Sequence, residues 1–206
     1  MNYLAHVLLS GDHCHWQLGG YLGDFIKGPL PPQLLDTRGA PWQDEVREGV
    51  QLHRQLDAFV ETLPAYQAAL QLLGPQYRRV GGIVIDVMFD HLLVHHWQRY
   101  HEQSLQAFSG RFYRVCLDNR ERLPERAARF ISAAAQHDLF SAYGVESTYL
   151  AVVERIAGRL RYTTNLVQAG QESLQHLPAL RPLFREIMPQ LQQFASEYRR
   201  RSITTG

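Results

Sequence analysis

The sequence contains only two cysteines, a single lysine and no long hydrophobic run. Cys14 and Cys116 are far apart and lack metal-type spacing, which excludes a disulfide-rich scaffold and fits a reducing compartment. No apolar stretch approaches the ~18 residues that a membrane helix needs, and the amino terminus has no signal-peptide pattern. We therefore expect a cytoplasmic protein that does not bind a membrane.

An excess of charge of one sign is also absent. The 206 residues include 21 Lys and Arg against 20 Asp and Glu, a net charge of +1, so nothing attracts the chain as a whole to nucleic acid. Lys27 is the only lysine, and arginine favours bidentate contacts with phosphate or carboxylate, although a GC-rich genome would give the same bias. The length is sufficient for one well-packed domain over residues 1–206, and we expect residues 199–206 to be a frayed tail.

Strand signals are scarce, whereas helical periodicity interrupted by glycine and proline dominates. This pattern predicts an all-α fold, a single-domain helical bundle. The glycine-rich stretch 11–23 is expected to be a turn, with His13 and His15 as loop residues. The predicted helices cover 2–10, a short segment before Gly39, 42–62, 65–73, 76–101, 104–122, 124–138, 147–159 and 163–201, the last broken or kinked at Pro178, Pro182 and Pro189.

The segment 83–96 carries two acidic residues among apolar ones. Asp86 and Asp90 are four residues apart, so on a helix their carboxylates share one face. No lysine or arginine occurs between Arg79 and Arg99 to neutralise them. Two like charges in an apolar setting repel each other and lose hydration, and a divalent cation would compensate both effects. The segment therefore predicts a metal site.

Two further pairs have the same spacing, Asn2 with His6 and His53 with Asp57, and Asp24 adds a carboxylate after the glycine-rich stretch. Imidazole and carboxylate together suit manganese, iron, zinc or magnesium, and helical bundles build such sites from side chains on facing helices. Other interpretations remain for single residues. His53 and Asp57 could form a half-buried ion pair, and His6 could line the core.

Four motifs in the same order resemble the acyl carrier protein phosphodiesterase family. They are Met-Asn-Tyr-Leu-Ala-His at the amino terminus, Gly-Asp-Phe at 23–25, Leu-His-Arg-Gln-Leu-Asp at 52–57 and Asp-Val-Met-Phe-Asp-His-Leu-Leu at 86–93. The likeness continues more loosely to Tyr143 and the Ile-Ala-Gly-Arg run at 156–159. It implies a helical protein related to HD-type metal phosphohydrolases. It also implies hydrolysis of the phosphodiester between 4′-phosphopantetheine and a serine of holo-acyl carrier protein, usually with Mn²⁺.

Combining the chemistry with this resemblance, we expect a bound divalent metal, with Mn²⁺ as the first candidate and Mg²⁺ or Fe²⁺ as alternatives. His6 and Asp57 could orient the ligands. The metal would activate water and polarise a phosphoryl oxygen. The predicted ligands are Asp24, His53, Asp86 and Asp90.

Three further residues are expected to act on the substrate. His91 lies about 100° around the helix from Asp90, so it is predicted to act beside the metal rather than on it. The leaving serine oxygen needs a proton, and His91 or His6 is the predicted donor. Arg159 is expected to meet the phosphate charge because of its place in the family-like run. Arg54, Arg78 and Arg79 are the other candidates for this role.

An acidic carrier protein requires a basic surface on its enzyme. The segment 111–129 is rich in arginine, although such residues often form only a solvated helix face, and the arginines at 199–201 could serve instead. The predicted docking residues are Arg111, Arg114, Arg122, Arg126 and Arg129, together with Arg120.

Two other functions remain open, a phosphohydrolase for nucleotides or other small phosphoesters and a non-catalytic metal-binding protein.

Overall fold

Helices account for the regular secondary structure of the described chain, so the prediction of an all-α fold is confirmed. The computed structural model describes residues 2–160 and 165–204. Within them the only β-type pairing is one isolated antiparallel bridge between Leu35 and Pro41. The helices are α1 (Tyr3–Leu9), α2 (Cys14–Leu22), α3 (Asp44–Val60), α4 (Pro64–Leu73), α5 (Gly81–His95), α6 (Leu105–Asp118), α7 (Glu125–Gln136), α8 (Leu139–Ala142), α9 (Glu146–Ala157), α10 (Leu166–Gln175) and α11 (Leu177–Thr204).

The helix α5 lies at the centre of the fold. It contacts α1, α4, α9, α10 and α11. Side chains such as Val84, Ile85 and Phe89 have no exposed surface. A helix that is apolar on nearly every side must be covered by neighbours, and this explains why α5 carries so few charges. Asp86 and Asp90, the two acidic residues of α5, are therefore held close to the protein interior, partly buried and buried respectively.

Close packing of α2 against α3 depends on glycine. A Cβ atom at Gly19 would lie 2.1 Å from the carbonyl oxygen of Val46, and one at Gly49 would lie 2.4 Å from the carbonyl oxygen of Trp16. Both distances are far below van der Waals contact, so only glycine allows the two backbones to approach this closely. Residues 14–22 of the glycine-rich stretch are therefore a helix and not the predicted turn, because their glycines serve helix packing. His15 lies in this helix, whereas His13 precedes it, as expected of a loop residue.

Several predicted helix boundaries are wrong for local reasons. The short helix expected before Gly39 does not form, and the chain there is irregular around the Leu35–Pro41 bridge. The helix α5 begins at Gly81 because a separate 3₁₀ turn occupies Pro75–Tyr77. The long carboxy-terminal helix is two helices, and the break falls at His176 rather than at a proline. Pro182 and Pro189 lie inside α11. The predicted start at 163 lies outside the described residues.

The carboxy-terminal helix also continues through the segment that was expected to be frayed. Residues 199–204 belong to α11. Arg199 donates a hydrogen bond to the carbonyl oxygen of Leu9, and the hydroxyl of Tyr198 donates one to Glu48 over 3.2 Å. These contacts join α11 to α1 and α3. Residues 205–206 lie outside the described part of the chain.

Membrane-spanning potential can be assessed for the described helices. None of those in residues 2–160 and 165–204 combines the length and apolar character needed to cross a bilayer.

Candidate active site

Two histidines and an aspartate meet where α1 packs near α3. His6 Nε2 lies 3.1 Å from Asp57 Oδ1, and His53 Nε2 lies 3.3 Å from Asp57 Oδ2. The two imidazole rings are stacked, with their centroids 3.6 Å apart. The side chains of His6 and His53 are buried, whereas the side chain of Asp57 is 44% exposed. One carboxylate therefore faces two ring nitrogens, and one side of the group remains open to solvent.

The orientation of His53 is set by α2. Its Nδ1 lies 2.7 Å from the carbonyl oxygen of Gly20, which accepts the Nδ1 proton. In a neutral ring Nε2 then carries a lone pair, and this lone pair faces carboxylate oxygens. Gly23 makes room for the ring, because a Cβ atom there would lie 2.2 Å from His53 Cγ. A lone pair opposite a carboxylate is repulsive unless a proton or a metal cation lies between them.

His6 is completely buried, yet neither of its ring nitrogens forms a well-oriented hydrogen bond to a described residue. Burial, reinforced by the adjacent His53, lowers the pKa of His6 to about 3, although the Asp57 carboxylate acts in the opposite direction. His6 is therefore a neutral, buried imidazole whose lone pair is available, as expected of a metal ligand.

Asp24 joins this group from the segment that follows α2. Its Oδ1 lies 3.9 Å from His53 Nε2, and its side chain is 39% exposed. Burial raises the pKa of Asp24, while His53 lowers it. We call the four residues His6, Asp24, His53 and Asp57 the His6–Asp57 cluster. Together they offer two imidazole nitrogens and two carboxylates.

The His6–Asp57 cluster fits a divalent transition metal. Ligand atoms at about 2.0–2.2 Å from one ion are about 3–3.6 Å apart in octahedral or tetrahedral geometry. The measured separations of 3.1, 3.3 and 3.9 Å lie in or near that range. The exposed sides of Asp24 and Asp57 leave room for a substrate oxygen, as a catalytic site requires.

A cavity of about 370 Å³ opens beside Asp24, and we call it the inner cavity. Asp24 and Asp86 contribute carboxylates to its lining. The hydroxyl of Tyr66 lies near Asp86, and burial followed by the Asp86 charge raises the pKa of Tyr66. Tyr3 also lines the cavity, and its pKa is raised by burial and then by Asp24. The inner cavity thus brings acidic groups and a protonated phenol next to the His6–Asp57 cluster.

A wider opening of about 650 Å³, the outer groove, continues from the inner cavity. The two share lining residues, including Tyr3, Phe25 and Phe130. Apolar rings therefore line the passage between them. Four arginines from α7, α9 and the turn after α9 surround the outer groove, namely Arg126, Arg129, Arg155 and Arg159.

Asp90 holds the amino terminus of α1. Its two carboxylate oxygens accept hydrogen bonds from the backbone N–H groups of Leu4 over 2.9 Å and Ala5 over 3.0 Å. Asn2, the residue that precedes the helix, makes no capping bond, so Asp90 supplies the cap from α5. Burial raises the pKa of Asp90 to about 7, and the two N–H groups act against that rise. Asp90 therefore positions the helix that carries His6.

His91 points away from the inner cavity. Its Nδ1 lies 2.8 Å from the carbonyl oxygen of Tyr143, and its ring lies beside His95 and Tyr149. Tyr143 itself lines the inner cavity, where its hydroxyl accepts a hydrogen bond from the side chain of Asn2. His91 thus does not line the inner cavity itself, but it hydrogen-bonds to the backbone of Tyr143, which does.

Comparison with known families places the chain in one of them. The family model described as acyl carrier protein phosphodiesterase matches residues 1–191. The chain belongs to the acyl carrier protein phosphodiesterase family. All four side chains of the His6–Asp57 cluster, the acidic residues of the inner cavity and the arginines of the outer groove lie within the matched residues.

Curated relatives carry the same family name. The acyl carrier protein phosphodiesterase of Pectobacterium atrosepticum is 29% identical over 196 residues, 95% of this chain and 97% of that protein. The enzyme of Yersinia pestis is 35% identical over 99 residues, 48% of this chain and 47% of its own length. That of an Enterobacter species is 36% identical over 97 residues, 47% of this chain and 46% of its own. No solved structure matches the chain, so the relation of this phosphodiesterase family member to HD-type phosphohydrolases stays a prediction.

The predicted metal ligands are only partly brought together. Asp24 and His53 are neighbours, and Asp86 shares the inner cavity with Asp24. Asp90 is occupied by α1, so a ligand role for it stays a prediction that the geometry does not favour. Asp57, which was expected only to orient ligands, instead faces His53 directly.

Of the residues predicted to contact the substrate, some line the inner cavity and others do not. Arg159 lines the inner cavity, as its predicted role requires. His6 belongs to the metal-type cluster, so it is better placed to bind a cation than to donate a proton. A proton-donor role for His91 stays a prediction that its distance from the cavity does not support. Tyr3 and Arg155 were not predicted from the sequence, although the position of Tyr3 inside the first motif was a usable signal.

The predicted docking arginines are in different environments. Arg126 and Arg129 line the outer groove. Arg122 instead stacks on Trp42 and donates a hydrogen bond to Asp36 over 2.6 Å, and Arg111 contacts Gln103 and Asp12. Arg114 and Arg120 are exposed.

Proposed function

We propose that this protein hydrolyses the phosphodiester bond between 4′-phosphopantetheine and a serine of holo-acyl carrier protein, releasing apo-acyl carrier protein and 4′-phosphopantetheine. Family membership over residues 1–191 carries the choice of substrate. The juxtaposition of the His6–Asp57 cluster with the inner cavity supports the choice of chemistry. A phosphodiester that enters through the outer groove would reach the carboxylates of Asp24 and Asp86, with His53 directly behind Asp24.

We propose further that the enzyme needs a divalent metal, with Mn²⁺ as the first candidate and Mg²⁺ or Fe²⁺ as alternatives. His6, His53, Asp57 and Asp24 would hold the ion. The support is the buried imidazole of His6 and the His53 lone pair that faces carboxylate oxygens. When bound, such an ion lowers the pKa of water and polarises a phosphoryl oxygen.

The residues of the inner cavity stabilise the phosphoryl oxygens and exclude water from the substrate. Water attacks phosphorus and the bond from phosphorus to the serine oxygen breaks. The oxygen of the water stays on the released phosphomonoester, and a proton that the water loses goes to the serine oxygen, which leaves as a hydroxyl. Arg159 pairs with the negative charge on the phosphoryl oxygens, which grows as the bond breaks. Tyr3 keeps its proton because burial raises its pKa, so it can donate a hydrogen bond to the same oxygens. The apolar rings of Phe25 and Phe130 exclude water around the pantetheine arm.

The outer groove is the proposed docking surface for the carrier protein. Acyl carrier proteins are strongly acidic, and the groove carries four exposed arginines next to the route inward. One of them, Arg129, also pairs with Glu125 one turn earlier on α7. This surface keeps Arg126 and Arg129 from the sequence-based set and adds Arg155 and Arg159. Arg111 and Arg122 are left out because neither of them lines the outer groove.

The test is to incubate the purified protein with holo-acyl carrier protein and Mn²⁺ and to measure the intact mass of the carrier. We expect the carrier to lose 4′-phosphopantetheine, and we expect Asp57→Asn to reduce the rate at least 100-fold. Asp118→Asn, the same change on the exposed end of α6, is the matched control and should retain full activity.

An unchanged carrier mass together with hydrolysis of nucleotides would contradict the proposed substrate and favour a phosphohydrolase for small phosphoesters. Metal binding without hydrolysis of either substrate would indicate a non-catalytic metal-binding protein.

A further inference from the structure

A second group of metal-binding side chains lies at the amino-terminal end of α2, remote in sequence from His53 and Asp57. His13, Cys14 and His15 each offer one ligand atom, and these atoms lie within 4.8 Å of one another. The two imidazole rings are arranged edge to face, with centroids 5.4 Å apart. Cys14 is a free, partly exposed thiol. We call this group the His13–His15 cluster.

The backbone that carries the His13–His15 cluster is fixed by hydrogen bonds. The side chain of Gln17 donates to the carbonyl oxygen of Gly11 over 2.7 Å, and the N–H of Gln17 donates to the carbonyl oxygen of His13 over 3.1 Å. The N–H of Gly11 donates to the carbonyl oxygen of Leu8 over 3.0 Å. His13 precedes the first helical residue, and Cys14 and His15 form the first turn. Binding an ion would therefore require side-chain rotations rather than folding of a loop.

We propose that the His13–His15 cluster binds one thiophilic transition-metal ion of the Zn²⁺ class, independently of the active site. A thiolate with two imidazoles is a donor set typical of Zn²⁺ and disfavoured by Mg²⁺ or Mn²⁺, which prefer oxygen ligands. Zn²⁺ with such ligands places them about 3.3–3.6 Å apart. Because the three ligand atoms already lie within 4.8 Å of one another, the separations have to shrink by about 1 Å at most, which rotations of exposed and partly exposed side chains can supply.

The charges around the cluster are compatible with a bound cation. Glu45, on the first turn of α3, and Arg122 are the nearby charged groups that act on His15. Arg122 is held by Asp36 over 2.6 Å, so its charge is balanced locally. Glu45 remains to offset the positive charge of the ion, and the fourth position on the metal is open to water.

The proposal can be tested by titrating the intact protein with Co²⁺, which replaces Zn²⁺ and reports sulfur ligation by its absorption. We expect a thiolate-to-cobalt charge-transfer band in the near ultraviolet that saturates as Co²⁺ is added and disappears when Zn²⁺ is added. The band should be absent in Cys14→Ser. His15→Gln should weaken cobalt binding about tenfold or more.

Two control variants distinguish binding at the His13–His15 cluster from binding at the active site or at the other cysteine. Asp57→Asn should retain the band, because the His6–Asp57 cluster contains no sulfur. Cys116→Ala should also retain it, because Cys116 is completely buried. A wild-type protein without the band, a band that persists in Cys14→Ser, or a band lost in Asp57→Asn would each overturn the proposal, whether or not the protein cleaves holo-acyl carrier protein.

Discussion

The contact between Gly23 and His53 allows a sharp test of how the active site is positioned. Gly23 has helical backbone angles, φ −51° and ψ −36°, so alanine fits the backbone there without strain. Its methyl group, however, would lie 2.2 Å from His53 Cγ and 2.6 Å from His53 Nδ1. Ordinary contact begins at 3.4 Å, so the ring has to retreat by about 1.2 Å. That shift breaks the bond from Nδ1 to the Gly20 carbonyl and moves Nε2 away from Asp57.

The expected cost follows from these contacts. A misplacement of about 1 Å at a catalytic group can lower a rate about 100-fold. Overpacking and the lost hydrogen bond together reduce the free energy of unfolding by about 1–3 kcal/mol, partly offset by the lower unfolded-state entropy of alanine. The assay is the rate of holo-carrier cleavage by intact mass, with urea denaturation of the same sample to measure stability.

Gly110→Ala is the matched control, because Gly110 lies within α6 and a Cβ atom there meets nothing within 4 Å. It should retain full activity and gain about 0.5–1 kcal/mol of stability. Gly23→Ala with a rate within twofold of the wild type would refute the assignment of His53 to the active centre.

Three further outcomes are expected. Asp90→Ala should lower the free energy of unfolding by about 1–3 kcal/mol in urea titrations, because two buried N–H groups of α1 lose their acceptor; unchanged stability would contradict this capping role. Arg129→Glu, which changes an arginine of the outer groove that does not line the inner cavity, should raise KM for holo-acyl carrier protein at least tenfold with a smaller change in kcat. Arg114→Glu, outside the groove, should change neither, and equal effects of the two variants would rule out a localised docking surface. Removing divalent metal with a chelator should abolish turnover and Mn²⁺ should restore it, so activity that survives exhaustive chelation would exclude the proposed metal requirement.

The all-α fold and many of its helices could be predicted from periodicity alone, because apolar spacing and proline or glycine boundaries are local signals. The helix α2 could not, since Gly19 has a low helix propensity and its contacts with Val46 and the backbone of α3 are unknown at the level of sequence. Glycine is needed at this position because of a tertiary contact, and local sequence patterns do not reveal such contacts.

For the candidate active site, the sequence indicated the residue types but only part of their arrangement. Spacing and the family motifs identified Asp24, His53 and Asp86 as functional candidates. The role of Asp90 was not predictable, because a carboxylate on an apolar helix can balance its charge on a metal or on the N–H groups of a distant helix, and the sequence does not distinguish these solutions. Its partners, Leu4 and Ala5, are 86 and 85 residues away in the chain.

The metal centre of a phosphodiesterase is the role proposed for His6, His53, Asp57 and Asp24. The most direct measurement is a crystal structure of the protein grown with Mn²⁺, with anomalous difference density recorded at the manganese absorption edge. We predict a peak within bonding distance of the two imidazole Nε2 atoms and of the Asp57 and Asp24 carboxylates. An active, Mn²⁺-dependent enzyme whose anomalous peak lies away from these four side chains would contradict that assignment.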